Sequence, residues 1–209
     1  MTLAHGKCAV GSNDGTILLF YLSDRTPRVT FETTISTQSS SPICSLSWNN
    51  DGTMLACGKD LVCIFRLKNT GALTLHSHFT KHSSGIKAIY WDSNTHLITG
   101  GDCGKVYEWD INRPESYNMI ADCKGQITGL ARQKNGDVVT SLGIDKGGIR
   151  VWKAGKIVAK YESGAVIDMS VSDKYIVSVC NADMISLFIV PTVSKQYQEP
   201  EENRYLKIR

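Results

Sequence analysis

No stretch of this sequence approaches the roughly 18 consecutive apolar residues that a membrane-crossing helix needs, so a membrane is not expected among its partners. The opening residues, Met1 to Lys7, lack the apolar segment of a secretion signal. Cysteine occurs seven times, an odd number, at 8, 44, 57, 63, 103, 123 and 180, and never as a CxxC pair. That spacing suits neither a disulfide framework nor a zinc site, and most of these cysteines sit inside apolar runs. They read as small buried residues of a reducing compartment. Absent too are GxGxxG after a strand, the phosphate-loop pattern GxxxxGK followed by Ser or Thr, HExxH and GxSxG, so no enzyme class is indicated. Lys and Arg are scattered among acids at a formal net charge of +3, and no basic run marks nucleic acid as an obligatory partner. A soluble cytoplasmic protein is expected, and a nuclear one is compatible.

No segment reads as an amphipathic helix; what the sequence has instead is repetition. The clearest copy is LITGGDCGKVYEWDI, Leu97 to Ile111: two short strands across a Gly-rich turn, ending in Trp109-Asp110. Weaker copies run from Ala9 to Leu22, Leu55 to Leu67, Val139 to Trp152 and Val177 to Val190. Their late aromatics, Phe20, Phe65, Trp109, Trp152 and Phe188, are 45, 44, 43 and 36 residues apart. A near-constant step of this size is the mark of a repeat architecture. With 42% hydrophobic and 21% charged residues in 209, the chain has ordinary globular composition and length for a sizeable core.

In order, the units cover about 1–35, 43–79, 86–121, 127–161 and 165–208. Residues 1–190 hold the repeats, 191–203 a polar linker flanked by Pro191, and 204–209 a candidate closing strand. Each full unit reads as four strands separated by turn residues such as Asn49-Asn50-Asp51-Gly52, and strands at this spacing argue an all-β fold. The first unit reads as partial, giving about four complete four-stranded units and a fraction. His76 and His78 share a strand face without a third ligand at a sensible spacing, so neither a metal nor a cofactor is expected. Asp168, the one acid within a first-strand pattern, offers either a hydrated or a partner-facing carboxylate.

The quoted residues resemble the WD-repeat β-propeller family. The third unit carries His82, Ile86, Ile89 and Trp91 ahead of LITGGDCGKVYEWD; the second has WNNDG, Trp48 to Gly52; the first has GSNDGTILLF. The resemblance implies radial four-stranded blades, each sequence repeat supplying the outer strand of one blade and three inner strands of the next. Leu73 to Phe79 would then be an outer strand. It also implies a hydrogen-bond network of a His before the first strand, a Ser or Thr in the second, an Asp in the hairpin turn and a Trp in the third. His82, Thr99 and Trp109 match it, with Cys103 in the Asp place. Asp14 matches in the first unit, where Phe20 replaces the Trp. In the fourth unit Trp152 matches, Cys123 stands in the His place, and Asp145 comes one residue early. Because family rings are usually seven-bladed, the sequence leaves three arrangements open: a piece of a longer chain, a ring completed by another chain or by self-association, and a compact ring.

The family implies a non-enzymatic protein-interaction scaffold in a multi-subunit assembly. Its hairpin turns and the connections before first strands share one rim, which would carry Lys59, Asp60, Lys81, Asp102, Lys105, Lys124, Asp145, Lys146 and Asp183. If those lysines converged, an RNA-associated propeller would be the alternative. The stretch from Pro42 to Trp152 is also similar to cytoskeletal members that bind actin or microtubules.

Overall fold

Short alternating runs between turn residues become strands throughout, as the repeat predicts. The computed structural model describes residues 1–23, 28–37, 40–144, 146–181, 184–189 and 204–207, and none of these is helical. The first sheet takes β1 (Thr2–Ala4), β2 (Lys7–Gly11), β3 (Thr16–Ser23) and β4 (Arg28–Ser36) in that order. The second takes β5 (Ser45–Trp48), β6 (Met54–Gly58), β7 (Val62–Leu67) and β8 (Leu73–Phe79). The third takes β9 (Ile86–Trp91), β10 (His96–Gly101), β11 (Lys105–Asp110) and β12 (Tyr117–Asp122). The fourth takes β13 (Ile127–Arg132), β14 (Val138–Leu142), β15 (Ile149–Lys153) and β16 (Lys156–Tyr161). The fifth takes β17 (Val166–Val171), β18 (Tyr175–Cys180), β19 (Met184–Ile189) and β20 (Arg204–Lys207). Neighbouring strands are hydrogen-bonded in sequence order, so every connection is a local one.

The first unit corrects the expectation of a partial repeat: it too has four strands, because Thr2–Ala4 pairs antiparallel with β2, Leu3 opposite Cys8. Three residues are too few to display a period of two, so this strand is invisible to the pattern. The turn between β2 and β3 forms as its residues suggest. Gly15 adopts φ 81°, and the Asp14 carboxylate accepts from the Ser12 hydroxyl at 2.7 Å, the Thr16 amide at 3.0 Å and the Thr16 hydroxyl at 2.7 Å. Those bonds, with Ser12 first, hold the Asp14 carboxyl below its ordinary value.

The chain divides into two compact units, Met1–Thr99 with Glu108–Asn118, and Gly100–Tyr107 with Met119–Arg209. In the first, Ala9, Ile17 and Leu19 of the first sheet form one core with Trp48, Leu55, Cys57 and Phe65 of the second. In the other, Val139, Ile149 and Val151 of the fourth sheet pack with Ile176, Cys180 and Phe188 of the fifth. The third strand steps out of register with the fourth just before the repeat aromatic in three sheets: at Leu19/Phe20, Ile64/Phe65 and Val151/Trp152. A bulge at that point sharpens local twist and re-aims the ring.

Glycine sets how closely sheets approach. A Cβ on Gly58 would stand 2.9 Å from Ile86 Cγ2 and 3.1 Å from Ile89 Cδ1, and one on Gly100 would stand 3.0 Å from both Ile127 Cδ1 and Cγ2. Gly11 faces Ile43 in the same way. The isoleucine is then pinned by its backbone: Ile43 N–H donates to the Ser12 carbonyl at 3.1 Å, and Ile86 N–H to the Lys59 carbonyl at 2.7 Å. Side-chain contacts of this closeness tolerate no added methyl without displacement. Gly58→Ala should therefore cost about 1–3 kcal/mol, read as a lowered urea midpoint; an unchanged midpoint would mean that the second sheet and β9 sit farther apart than described.

Candidate functional site

Two groups of polar residues stand out, one buried and one exposed. The buried group is built on a threonine hydroxyl in a second strand. Thr99, fully buried in β10, accepts from Trp109 Nε1 at 2.8 Å and lies 2.8 Å from His82 Nε2. An indole N–H can only donate, so the hydroxyl uses a lone pair for Trp109 and has its own proton for the imidazole. Trp109 then stacks at 4.6 Å on Phe79 of β8, with Tyr117 at 5.7 Å. The predicted trio of His82, Thr99 and Trp109 is thus assembled. Burial alone pushes the His82 imidazole down to about 4.

The fourth sheet repeats the hub with a different third member. Trp152 Nε1 donates to Thr140 Oγ1 at 3.0 Å, and the Cys123 thiol donates to the same oxygen at 3.6 Å. Cys123 therefore does stand where the imidazole stands in the third sheet. Burial pushes its thiol up to about 11, so it remains a protonated donor at neutral pH. Asp14 joins no such hub and instead caps its own turn. The two hubs are hydrogen bonding around buried threonine hydroxyls, whereas the Asp14 carboxylate is exposed at its turn.

The exposed group lies on three connections of the second compact unit, Gly100–Tyr107 with Met119–Arg209. The turn of Asp102, Cys103 and Gly104, the link from Cys123 to Gln126, and the turn from Gly143 to Gly148 are stitched by backbone bonds: Cys123 N–H to the Gly104 carbonyl at 2.8 Å, Gly143 N–H to the Gln126 carbonyl at 2.9 Å. Gly125 has no room for a side chain, because a Cβ would meet Lys146 Cγ at 2.6 Å. The Gln126 amide donates to Asp102 Oδ1 at 2.5 Å. Lys124 Nζ bonds Asp122 at 2.6 Å, and this bond, assisted by the charge of Lys105, holds the Asp122 carboxyl below its ordinary value. Lys105, Lys124 and Lys146 are all exposed here. Ile144, on the last of these connections, is 80% exposed.

The structure brings Asp102, Lys105, Lys124 and Lys146 together on these connections. In the first compact unit, Asp60 accepts a short bond from the Ser41 hydroxyl, and Lys81 lies 4.7 Å from the centre of the Tyr117 ring. Lys59 is a correction: it is 2% exposed, its ammonium donates to Thr37 Oγ1 at 2.5 Å, and it is not part of an open rim. Its place immediately after Gly58, where the chain turns under Ile86, buries it. Asp145 and Asp183 lie outside the described residues. Charge patterning passes over Ile144, though the local sequence marks it. It is the one large apolar residue inside a turn otherwise made of Gly, Asp and Lys.

The family profile described as "WD domain, G-beta repeat" matches residues 30–65 and 73–110. "WD repeat-containing protein 1" of Gallus gallus is 26% identical over 141 residues, 65% of this chain and 22% of that protein. "APC/C activator protein CDH1" of Saccharomyces cerevisiae is 27% identical over 172 residues, 78% of this chain and 29% of that protein. A chain in the "Crystal Structure of Mitotic Checkpoint Complex" superposes with a TM-score of 0.76 at 18% identity, over 90% of this chain and 60% of that one, a likeness of fold. The chain thus spans less than a third of either curated relative.

Because the folded His82 titrates at about 4 against an ordinary 6.5, its burial favours folding fully above pH 6.5. That contribution is lost as pH falls towards 4, where only the unfolded chain takes up the proton, up to about 3 kcal/mol. Melts of the wild type and His82→Gln between pH 7 and 4 should show the wild type falling more steeply; parallel curves would contradict a buried neutral imidazole. Thr140→Val removes the acceptor of Trp152 and should cost about 1–3 kcal/mol in the same melts at pH 7.

Proposed function

We propose that this chain, which belongs to the WD-repeat β-propeller family, is a non-enzymatic protein-interaction scaffold whose docking surface centres on Ile144. The observation that carries this reading is a large apolar side chain, Ile144, 80% exposed on one of three connections that are stitched by backbone hydrogen bonds and carry exposed charges of both signs. Binding energy concentrates in a few apolar or aromatic anchors that a partner buries, while surrounding charges steer encounter and set register. Ile144 is such an anchor, and Lys105, Lys124, Lys146, Asp102 and Asp122 are such a surround. The base is rigid for a physical reason. Each connection is tied by backbone hydrogen bonds, so little ordering entropy is lost on docking.

Support for partners that are proteins within assemblies comes from what the chain resembles: a relative named as an activator of APC/C and a fold neighbour in the mitotic checkpoint complex. An RNA-associated reading keeps some support from the three converging lysines. The interleaved Asp102 and Asp122 count against it, since neighbouring carboxylates repel a phosphate backbone. RNA binding through this surface would weaken steeply with salt, whereas an apolar anchor would not.

The test is capture of partners from cell extract by the wild type, Ile144→Asp, the double reversal Lys105→Glu with Lys146→Glu, and a control reversal of Lys156 and Lys160 on β16. Ile144→Asp and the Lys105/Lys146 pair should lose a shared set of proteins by about tenfold or more at unchanged melting temperature. Loss confined to the β16 control would place the binding face elsewhere and refute the assignment.

A further inference from the structure

One of the seven thiols stands apart from the rest. Cys57, Cys63 and Cys180 are buried and Cys8, Cys103 and Cys123 half-buried, whereas Cys44, at the approach to β5, is exposed. Burial pushes the Cys57 thiol up to about 12 and that of Cys123 to about 11, which keeps both protonated and slow to react at neutral pH. Cys44 also has a cationic neighbour: Lys87 of β9 donates from Nζ to its sulfur at 3.6 Å. The Cys44 S–H itself donates to the Pro42 carbonyl at 3.7 Å, which leaves a sulfur lone pair for the ammonium.

The repeat creates this pair. Ile43, Cys44 and Trp48 recur 43 residues later as Ile86, Lys87 and Trp91, so Cys44 and Lys87 hold the same place in successive units. All of them belong to the first compact unit, and the backbone on either side is fixed. Ile86 N–H donates to the Lys59 carbonyl at 2.7 Å, Trp91 Nε1 to the Ser47 carbonyl at 2.9 Å, and Cys44 N–H to the Gly58 carbonyl at 2.9 Å. Sulfur and nitrogen are thus brought together by two hydrogen-bonded sheets, and groups held within reach react as if at very high concentration.

We propose that Cys44 and Lys87 form a peroxide-responsive cross-link, a reversible sulfur–nitrogen bond that ties the second sheet to the third. In the first step the Cys44 thiolate attacks one oxygen of hydrogen peroxide. The O–O bond breaks, a sulfenic acid forms, and the departing hydroxide takes a proton from the Lys87 ammonium to become water. Sulfur loses two electrons and the peroxide gains them. In the second step the Lys87 amine, now neutral, attacks the same sulfur. The S–N bond forms, the S–O bond breaks, and the hydroxide leaves as water with a proton from that amine. One thiolate, one ammonium and one peroxide give one sulfenamide and two waters. Sulfenic acids condense in the same way with backbone nitrogen, a weaker nucleophile than an amine. An external dithiol reverses the link: one of its sulfurs displaces the Lys87 amine from Cys44, and the other then releases the Cys44 thiol.

The experiment exposes purified protein at neutral pH to a small molar excess of hydrogen peroxide, then reads intact mass, a peptide map and a thermal melt, each before and after dithiothreitol. Wild type, Cys44→Ser, Lys87→Arg and Lys87→Met are compared, and melts without peroxide check that each variant is folded. If Lys87→Met melts early, Lys87→Gln replaces it. Wild type should lose two hydrogen atoms, show the Cys44 peptide joined to the Lys87 peptide, and melt higher until dithiothreitol restores the starting mass. Cys44→Ser should stay unmodified over the same time. Lys87→Arg keeps the cation without a nucleophilic amine, so it should stop at a Cys44 sulfenic acid that dimedone traps. Lys87→Met lacks the proton donor too, and its Cys44 should oxidise more slowly by about tenfold or more. A wild type that is inert, that only gains oxygen at Cys44, that oxidises first at another cysteine or that links two copies through Cys44 would overturn the proposal. So would a two-hydrogen loss that persists in Lys87→Arg, or oxidation of Lys87→Met at the wild-type rate.

Discussion

Each four-stranded sheet in this protein is apolar on both faces, and no sheet of that kind is stable alone in water. The second sheet shows the condition met. Leu55, Cys57 and Phe65 face one way, within the core shared with Ala9 and Leu19, while Ala56, Gly58 and Ile64 face the other, where Gly58 receives Ile86. Burial of a Val, Leu, Ile or Phe side chain contributes about 1.5–3 kcal/mol. A sheet covered on two sides therefore gains roughly twice what one covered on a single side does. Local connections make this affordable kinetically, since every strand pairs with its sequence neighbour and long loops need not close first.

Within that apolar framework the polar hub is optional, and the chain shows what governs it. Where the third strand carries Trp, the second strand carries Thr: Thr99 with Trp109 and Thr140 with Trp152. Where the third strand carries Phe, the equivalent second-strand residue is Cys57 with Phe65, Ser178 with Phe188, or Val10 with Phe20. A buried indole N–H without an acceptor costs about 1–3 kcal/mol, and phenylalanine brings no such demand. The imidazole of His82 and the thiol of Cys123 are then two answers to one question, which donor or acceptor completes the threonine.

Much of this is legible in the sequence. The spacing of Phe20, Phe65, Trp109, Trp152 and Phe188 reports the sheet period, because a residue wedged between sheets must recur once per sheet. The His82, Thr99 and Trp109 hub follows from matching residue types to places in the repeat. What escapes is decided by tertiary context. Thr2–Ala4 is too short to show alternation, and its strand exists only by pairing with β2. Lys59 looks like an exposed turn lysine by composition, yet its position after Gly58 draws it beneath Ile86 and against Thr37. Ile144 is legible locally, as the one large apolar residue in a turn of Gly, Asp and Lys, but a search by charge passes over it.

The account's central claim is that stability here follows coverage of sheet faces, and native-state amide hydrogen exchange on dilute protein measures it strand by strand. Amides of β6 and β7 should exchange more slowly than those of β2 and β3, and amides of β14 and β15 more slowly than those of β18 and β19, because the former strands are covered on both faces and the latter on one. Equal protection in all four pairs of strands, or the greatest protection in β2 and β3, would contradict it.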